Sequence, residues 1–83
     1  MSRARDVVEV VARALAATPD GVEVTEVERR GMTVVELQVA PNDLGRVIGR
    51  QGRTAAAVRT LLATAAESDG VRATLDIRDA SGR

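Results

Sequence analysis

The sequence contains no cysteine and no histidine. Their absence excludes disulfide bonds, thiol chemistry and histidine acid–base catalysis, and it removes the ligands that most transition-metal sites use. Phenylalanine, tyrosine and tryptophan are absent as well, so the chain has no aromatic ring on which a ligand can stack. A non-enzymatic protein that needs no cofactor and no metal is therefore the expected class.

Large hydrophobic side chains and long apolar runs are also scarce. The hydrophobic 45% of the chain consists mainly of 14 Ala and 13 Val, against 6 Leu and 2 Ile. A core of such small side chains buries little area per residue, which predicts modest stability and favours association with a partner. No apolar stretch approaches the roughly 18 residues of a membrane span, and no signal peptide is recognisable. The 83 residues are expected to form one cytoplasmic domain without membrane contact.

Charge is balanced overall but unevenly distributed along the chain. The 12 basic residues are all arginines, and they equal the 12 acidic residues in number. Residues 20–43 carry a net charge of −4, whereas residues 44–66 contain four arginines and no acid. The planar guanidinium suits phosphate and carboxylate oxygens, although a general preference for arginine over lysine in the source's composition explains the choice equally well. The basic segment is where an anionic partner is expected.

Hydrophobic periodicity predicts six elements in the order α-β-β-α-α-β. The predicted helices cover residues 5–17, 44–48 and a segment from residue 53 to about residue 68; the predicted strands cover residues 22–30, 32–40 and 71–78. The strands alternate polar and apolar residues and each helix has a single apolar stripe, so three helices should pack on one face of a three-stranded sheet. The expected class is α+β, with one domain over residues 1–78 and a short flexible tail over residues 79–83.

Local signals refine the ends of these elements. Asp6 and Glu9 are spaced as a capping box for the first helix, with an earlier start as the alternative, and one of residues 42–43 is expected to cap the second. The apolar stripe of the first helix is predicted to consist of Val7, Val8, Val11, Ala14 and Leu15. In the first strand Val27 is out of phase with the preceding valines, which predicts a bulge or a bend near residues 25–26.

Two glycines separated by two residues join the central helices in the segment Gly49-Arg50-Gln51-Gly52. They allow a tight turn and leave out the side chains that would keep a phosphate group away. The next helix starts at this turn, so its free N–H groups and the positive end of its dipole face the same space. The side chains that flank the turn are Arg46, Val47, Ile48, Arg53 and Thr54. A cationic phosphate cradle beside an apolar wall of Val47 and Ile48 is typical of a site for single-stranded nucleic acid.

The segment that contains this turn resembles the KH family of RNA-binding domains. The residues VIGRQG at positions 47–52 match the family's GXXG signature, and the element order resembles the type II arrangement of the KH fold. The longer stretch VAPNDLGRVIGRQGR at positions 39–53, the leading helix and the chain length are similar to the KhpA family of small bacterial single-KH-domain proteins. The resemblance covers nearly the whole chain.

This resemblance implies a cytoplasmic RNA-binding protein that acts as an RNA chaperone or post-transcriptional regulator. It implies single-stranded RNA as the ligand and a larger KH protein, KhpB, as the partner in cell elongation, cell shape and cell-wall homeostasis. The residues it assigns to the RNA backbone are Gly49, Arg50, Gln51 and Gly52, and it assigns Ile48 to the base groove. KH domains usually have a large aliphatic residue three positions after the second glycine, and Ala55 at this place implies a shallower groove floor.

Two other functions compete with RNA binding. A Walker A nucleotide loop ending at Gly52 would require glycine at position 47 and lysine at position 53, where this chain has Val47 and Arg53, so no small-molecule substrate is expected. The other is an assembly module that pairs with another protein or with a second copy in a homodimer, because the Ala-rich helix after Gly52 is more apolar than one buried face requires. Arg59 is assigned to a surface or an interface.

Overall fold

The structure is a computed structural model that describes residues 2–81. Its helices are α1 (Arg3–Leu15), α2 (Leu44–Ile48) and α3 (Arg53–Ser68), and its strands are β1 (Glu23–Arg29), β2 (Met32–Val39) and β3 (Arg72–Asp79). Short 3₁₀ turns occupy Pro19–Gly21, Pro41–Asp43 and Arg50–Gly52. The predicted α-β-β-α-α-β order and the α+β class are confirmed.

Helix α1 begins two residues earlier than the sequence predicts, because Ser2 is its N-cap. The backbone N–H of Arg5 donates to the Ser2 hydroxyl at 3.1 Å, which satisfies one of the open amides of the first turn. The predicted capping box is wrong: Glu9 instead pairs with Arg5 and with Arg13 along the helix surface. Hydrogen bonds first from Arg5 and then from Arg13 hold the pKa of Glu9 below its ordinary value.

The buried stripe of α1 is also rotated from the predicted one. Its fully buried residues are Ala4, Val8 and Ala12, with Val11 partly buried beside them. Leu15, by contrast, is 36% exposed at the end of the helix. The sequence could not separate these faces, because alanine and valine occur on all sides of α1.

Strands β1 and β2 form an antiparallel hairpin closed by Arg30 and Gly31. Both turn residues have positive φ, 54° and 77°, as a two-residue type I′ turn requires. The pairing runs without interruption from Glu23 opposite Gln38 to the end of the hairpin, so the predicted bulge is wrong. Val27 is out of phase because it lies directly opposite Val34 and forms a cross-strand apolar pair.

Strand β3 pairs in parallel with β2, which gives the sheet order β1-β2-β3. The three helices pack on one face of this sheet, as predicted. The strand residues buried beneath the helices are Val24, Thr33, Val35, Leu37, Val39 and Leu75. The opposite face, called the open face here, carries the alternate positions, including Val34, Glu36 and Arg72. Among residues 2–81, no helix has the length and hydrophobicity needed to cross a bilayer.

Strand β3 extends one residue into the segment that the sequence assigns to the tail. Asp79 is the last strand residue and is only 8% exposed. The next residue, Ala80, still donates its backbone N–H to the carbonyl of Val39 at 2.9 Å. The flexibility of the remaining tail stays a prediction, and its last positions, Gly82 and Arg83, lie outside the described residues.

Candidate nucleic-acid interface

The loop between α2 and α3 depends on Gly49 for two separate reasons. Gly49 has φ 77° and ψ 172°, a combination that is essentially restricted to glycine. A Cβ atom built on it would also lie 2.6 Å from the Cβ of Thr54 and 2.9 Å from the backbone nitrogen of Thr54. Thr54 therefore packs directly behind the loop rather than projecting from it.

Gly52 is glycine for conformation alone. Its φ of 73° and ψ of 13° are left-handed, yet an added Cβ would meet no atom within 4 Å. Gln51 also adopts the left-handed region, with φ 56° and ψ 25°, which costs a side-chain-bearing residue about 1–2 kcal/mol. Apart from the adjacent residues Gln51 and Arg53, whose side chains are hydrogen-bonded to each other, the space beside Gly52 is thus open.

Helix α3 starts at this open space without a side-chain cap. Its N-cap residue is Gly52, and no side chain accepts a hydrogen bond from the amides of the first turn. Within the loop, the N–H of Gly52 donates to the carbonyl of Gly49 at 3.1 Å. The N–H of Arg53, the first helical residue, donates to the carbonyl of Arg50. No side chain caps the amides that follow it in this 16-residue helix, which leaves them to an external acceptor.

The predicted site residues divide into exposed and buried groups. Arg50, Gln51 and Arg53 are exposed, and the Arg53 guanidinium donates to the Gln51 side-chain oxygen at 3.2 Å. Ile48 is 37% exposed, so an aliphatic edge lies next to the loop. Val47 is only 2% exposed and packs in the core. The predicted apolar wall is therefore corrected: Ile48 forms it without Val47.

Arg46 and Ala55 complete the predicted set. The Arg46 Nε lies 3.4 Å from an Asp43 carboxylate oxygen, and its side chain is 60% exposed. It is therefore a paired arginine, with its charge partly neutralised, at the edge of the loop region. Ala55 is 4% exposed in the first turn of α3, and the shallower groove floor that the resemblance implies stays a prediction.

Asp43 is a positioning residue whose role the sequence did not reveal. It is fully buried, and its two carboxylate oxygens accept the backbone N–H groups of Ala17 and Thr18, each at 2.9 Å. It makes no side-chain capping bond to α2. Asp43 thus ties the segment after α1 to the start of the helix that carries the loop. The sequence shows Asp43 two residues after Pro41, but the partners of its carboxylate come from a distant part of the chain.

Residues 5–77 match the sequence profile of the family described as KhpA/KhpB, KH domain. The chain belongs to this family. It is 46% identical over 77 residues to the RNA-binding protein KhpA of Aquifex aeolicus, covering 93% of this chain and 98% of that relative. It is 44% identical over 72 residues to the RNA-binding protein KhpA of Caldanaerobacter subterraneus, covering 87% of this chain and 96% of the relative.

The fold has a counterpart among solved structures. A crystal structure of Era in complex with MgGDPNP and a segment of 16S ribosomal RNA superimposes with a TM-score of 0.65 and 20% identity, covering 92% of this chain and 29% of that chain. A structure of Aquifex aeolicus Era bound to GDP and aluminium fluoride superimposes with the same TM-score of 0.65. These two similarities concern the fold of the KhpA/KhpB-family chain.

Proposed function

We propose that this KhpA/KhpB-family chain binds single-stranded RNA through the loop Gly49–Gly52. The observation that carries the proposal is the open space above Gly52, where an added Cβ would meet no atom within 4 Å outside the adjacent residues. A phosphate group placed there reaches the uncapped amides of α3 and the exposed guanidinium groups of Arg50 and Arg53. The relatives' name, RNA-binding protein KhpA, supports RNA as the ligand.

Recognition in this site relies on phosphates and an aliphatic surface. The base next to the loop rests on the 37% exposed Ile48, Gln51 contacts the RNA backbone beside Arg50, and Thr54 packs behind Gly49. Base–aromatic stacking contributes about 1–3 kcal/mol per base in other proteins, and a chain without aromatic residues lacks it. We expect weak binding with little sequence preference. If two to four phosphates are contacted, log K falls with log salt with a slope of about −1.4 to −2.8.

The proposal includes a cellular setting. The chain acts in the cytoplasm as an RNA chaperone or regulator, together with a KhpB-like KH protein, in cell-shape and cell-wall homeostasis. The support is the family profile, which unites KhpA and KhpB under one KH domain. Co-purification of a tagged chain with a KH-containing partner from its own cells tests this part, and recovery of the chain alone contradicts it.

Substitution of the exposed loop residues tests RNA binding directly. The double variant R50D/Q51D should stay folded, as measured by circular dichroism, and lose binding to a fluorescent single-stranded RNA in an anisotropy titration. The milder variant R50Q is compared with R3Q as its control. Arg3 is also exposed, at 70%, but its charge is already paired with Asp69. Each of these two variants removes one positive charge. If R50D/Q51D binds RNA as the wild type does, the loop is not the RNA site.

Assembly with another protein is the second candidate, and two exposed side chains favour it. Val10 is 69% exposed and Leu61 is 49% exposed, and they lie on α1 and α3, which pack against each other. A homodimer or a KhpB-like partner that docks on these helices would bury one or both of them. The variant L61E should abolish pairing in sedimentation experiments while short-RNA binding persists. If cellular function survives R50D/Q51D but not L61E, assembly is the main task.

A further inference from the structure

The arginines of residues 2–81 fall into two groups by their partners. Five pair with carboxylates within 4 Å: Arg3, Arg5, Arg13, Arg46 and Arg78. Six have no carboxylate partner: Arg29, Arg30, Arg50, Arg53, Arg59 and Arg72. Two of the unpaired arginines belong to the α2–α3 loop. The strand register places three others at the hairpin end of the sheet, away from the loop.

These three residues, Arg29, Arg30 and Arg72, form what is called here the hairpin-end cluster. Arg29 lies opposite Met32 in the antiparallel pair, and Met32 lies beside Arg72 in the parallel pair. Strands are about 4.8 Å apart, so the two outer arginines start about 10 Å from each other on the open face. Arg30 occupies the turn immediately beyond them. Three like charges gathered without a counterion partner favour an anionic ligand.

Among the acidic side chains nearby, Glu67 of α3 lines the same depression as Arg72, whereas those of the sheet are directed elsewhere. Glu36 and Asp76 lie on the open face four positions farther along their strands, about 13 Å away, and both pair with Arg78. Glu28 is on the helix-covered side, where it accepts a hydrogen bond from the Thr33 hydroxyl at 2.9 Å. The cluster is therefore not neutralised by neighbouring carboxylates within the sheet.

We propose that the hairpin-end cluster is a second phosphate-binding site, which holds the same RNA strand that the α2–α3 loop holds. The proposal rests on the proposed function for the identity of the ligand. Its consequence is a dependence on RNA length. A tetranucleotide fills the loop site alone, whereas a longer strand reaches both sites and gains affinity from the second.

The surface between the two sites provides a path for the strand. A depression of about 210 Å³ lies between the end of α3 and the start of β3, and its lining residues are Ala63, Glu67, Val71, Arg72 and Ala73. Unpaired Arg59 is one helical turn before Ala63 on the same side of α3. From Arg53 to Glu67 the helix advances about 21 Å. At about 3.4 Å per stacked nucleotide, roughly six nucleotides span this distance.

Arg30 provides a test that separates binding from folding. Its φ of 54° is unfavourable for a residue with a long side chain, and asparagine followed by glycine is the preferred pair in a type I′ turn. The variant R30N should therefore raise the midpoint of thermal unfolding by up to about 4–8 °C. At the same time it should weaken binding of a 12-nucleotide RNA. A variant that is more stable and binds less cannot owe the loss to misfolding.

The main experiment measures the affinity of the full chain for a 4-mer and a 12-mer oligouridylate over a salt series. Each phosphate contact contributes about fivefold to affinity at 0.1 M salt. The variant R29Q/R30N/R72Q should bind the 12-mer about 100-fold less tightly, with a salt slope shallower by about 2, and should bind the 4-mer unchanged. The charge-retaining variant R29K/R30K/R72K should keep most of the 12-mer affinity. The paired-arginine control R3Q should change 12-mer binding less than R72Q does.

Two outcomes overturn the proposal. In the first, R29Q/R30N/R72Q binds the 12-mer with the affinity and the salt slope of the wild type. The cluster would then contact an acidic protein surface or only solvent. The other is an equal loss for the 4-mer and the 12-mer, which would mean a general charge effect. Failure of the RNA-binding proposal itself is recognised separately, because R50D/Q51D would then bind the 4-mer as the wild type does.

Discussion

Alanine substitution at the two loop glycines should give different losses of stability, although both residues have nearly the same φ. At Gly52, with φ 73°, left-handed strain of about 1–2 kcal/mol is offset by about 0.4–1 kcal/mol from the restricted unfolded chain. At Gly49, with φ 77° and ψ 172°, backbone strain of up to about 3 kcal/mol adds to overlap with Thr54, at about 1–3 kcal/mol. We therefore expect G52A to cost about 1 kcal/mol and G49A about 2–5 kcal/mol.

Urea unfolding monitored by circular dichroism measures this difference, because the chain has no tryptophan or tyrosine to report by fluorescence. A domain of this size is stable by roughly 4–12 kcal/mol, so G49A should be visibly weakened and G52A should unfold close to the wild type. The double variant G49A/T54G removes the overlapping side chain and should recover part of the loss, after correction for T54G alone.

RNA affinity should follow the opposite order from stability for these variants. The methyl group of G52A enters the open space above the loop, where the proposed phosphate lies, and should weaken binding of a short RNA about tenfold or more. G49A should affect binding mainly through the fraction of folded protein. If the two variants lose the same stability within about 0.5 kcal/mol, or if G49A/T54G recovers none of the loss, the steric argument about Thr54 is refuted.

Three further substitutions test other parts of the structure. D43N should cost about 2–4 kcal/mol in urea unfolding, because the amide leaves a backbone N–H of the Ala17–Thr18 segment without its acceptor; unchanged stability would refute the positioning role. Because the folded-state pKa of Glu9 is depressed, its stabilisation is present above pH 4.5 and is lost at lower pH, so the difference between wild type and E9Q should shrink on acidification; a constant difference from pH 7 to pH 3 would contradict this. E67Q should tighten 12-mer RNA binding a few-fold, because it removes the negative charge from the depression beside Arg72, and weaker binding would count against the RNA path.

The sequence predicted the parts of the fold that depend on local periodicity. The alternation in β2 and β3 and the stripe in α3 were strong enough to give the element order, the sheet and the helical layer. Local rules failed where a tertiary contact decided the outcome. Val27 suggested a bulge, but a cross-strand partner, Val34, accounts for its place on the open face. The N-cap Ser2 was not identified from the sequence, because the nearby Asp6 and Glu9 offered an equally good local signal.

The candidate site divides in the same way. Glycine spacing revealed the loop, because glycine is the residue type that a positive φ or a close approach of the backbone requires. The burial of Val47, the packing of Thr54 against Gly49 and the two backbone contacts of Asp43 depend on segments that are distant in sequence. Whether an arginine is paired also depends on distant segments. The sequence does not show which of Arg3 and Arg72 has a carboxylate partner, and among residues 2–81 only Arg3 of these two has one.

Under the proposed function, this distribution of charge also determines what the protein can discriminate. Phosphate contacts fix the position of a strand but carry no base identity, and both proposed sites are built from main-chain amides and guanidinium groups. The aliphatic edge of Ile48 and the small depression beside Val71 favour no single base through hydrogen bonds. Selectivity should therefore depend on the length and accessibility of the single-stranded region rather than on its sequence. Equal affinities for 12-mers of different base composition, together with a steep decrease for hairpins of the same length, are the expected pattern; strong preference for one sequence would require base contacts beyond these two sites.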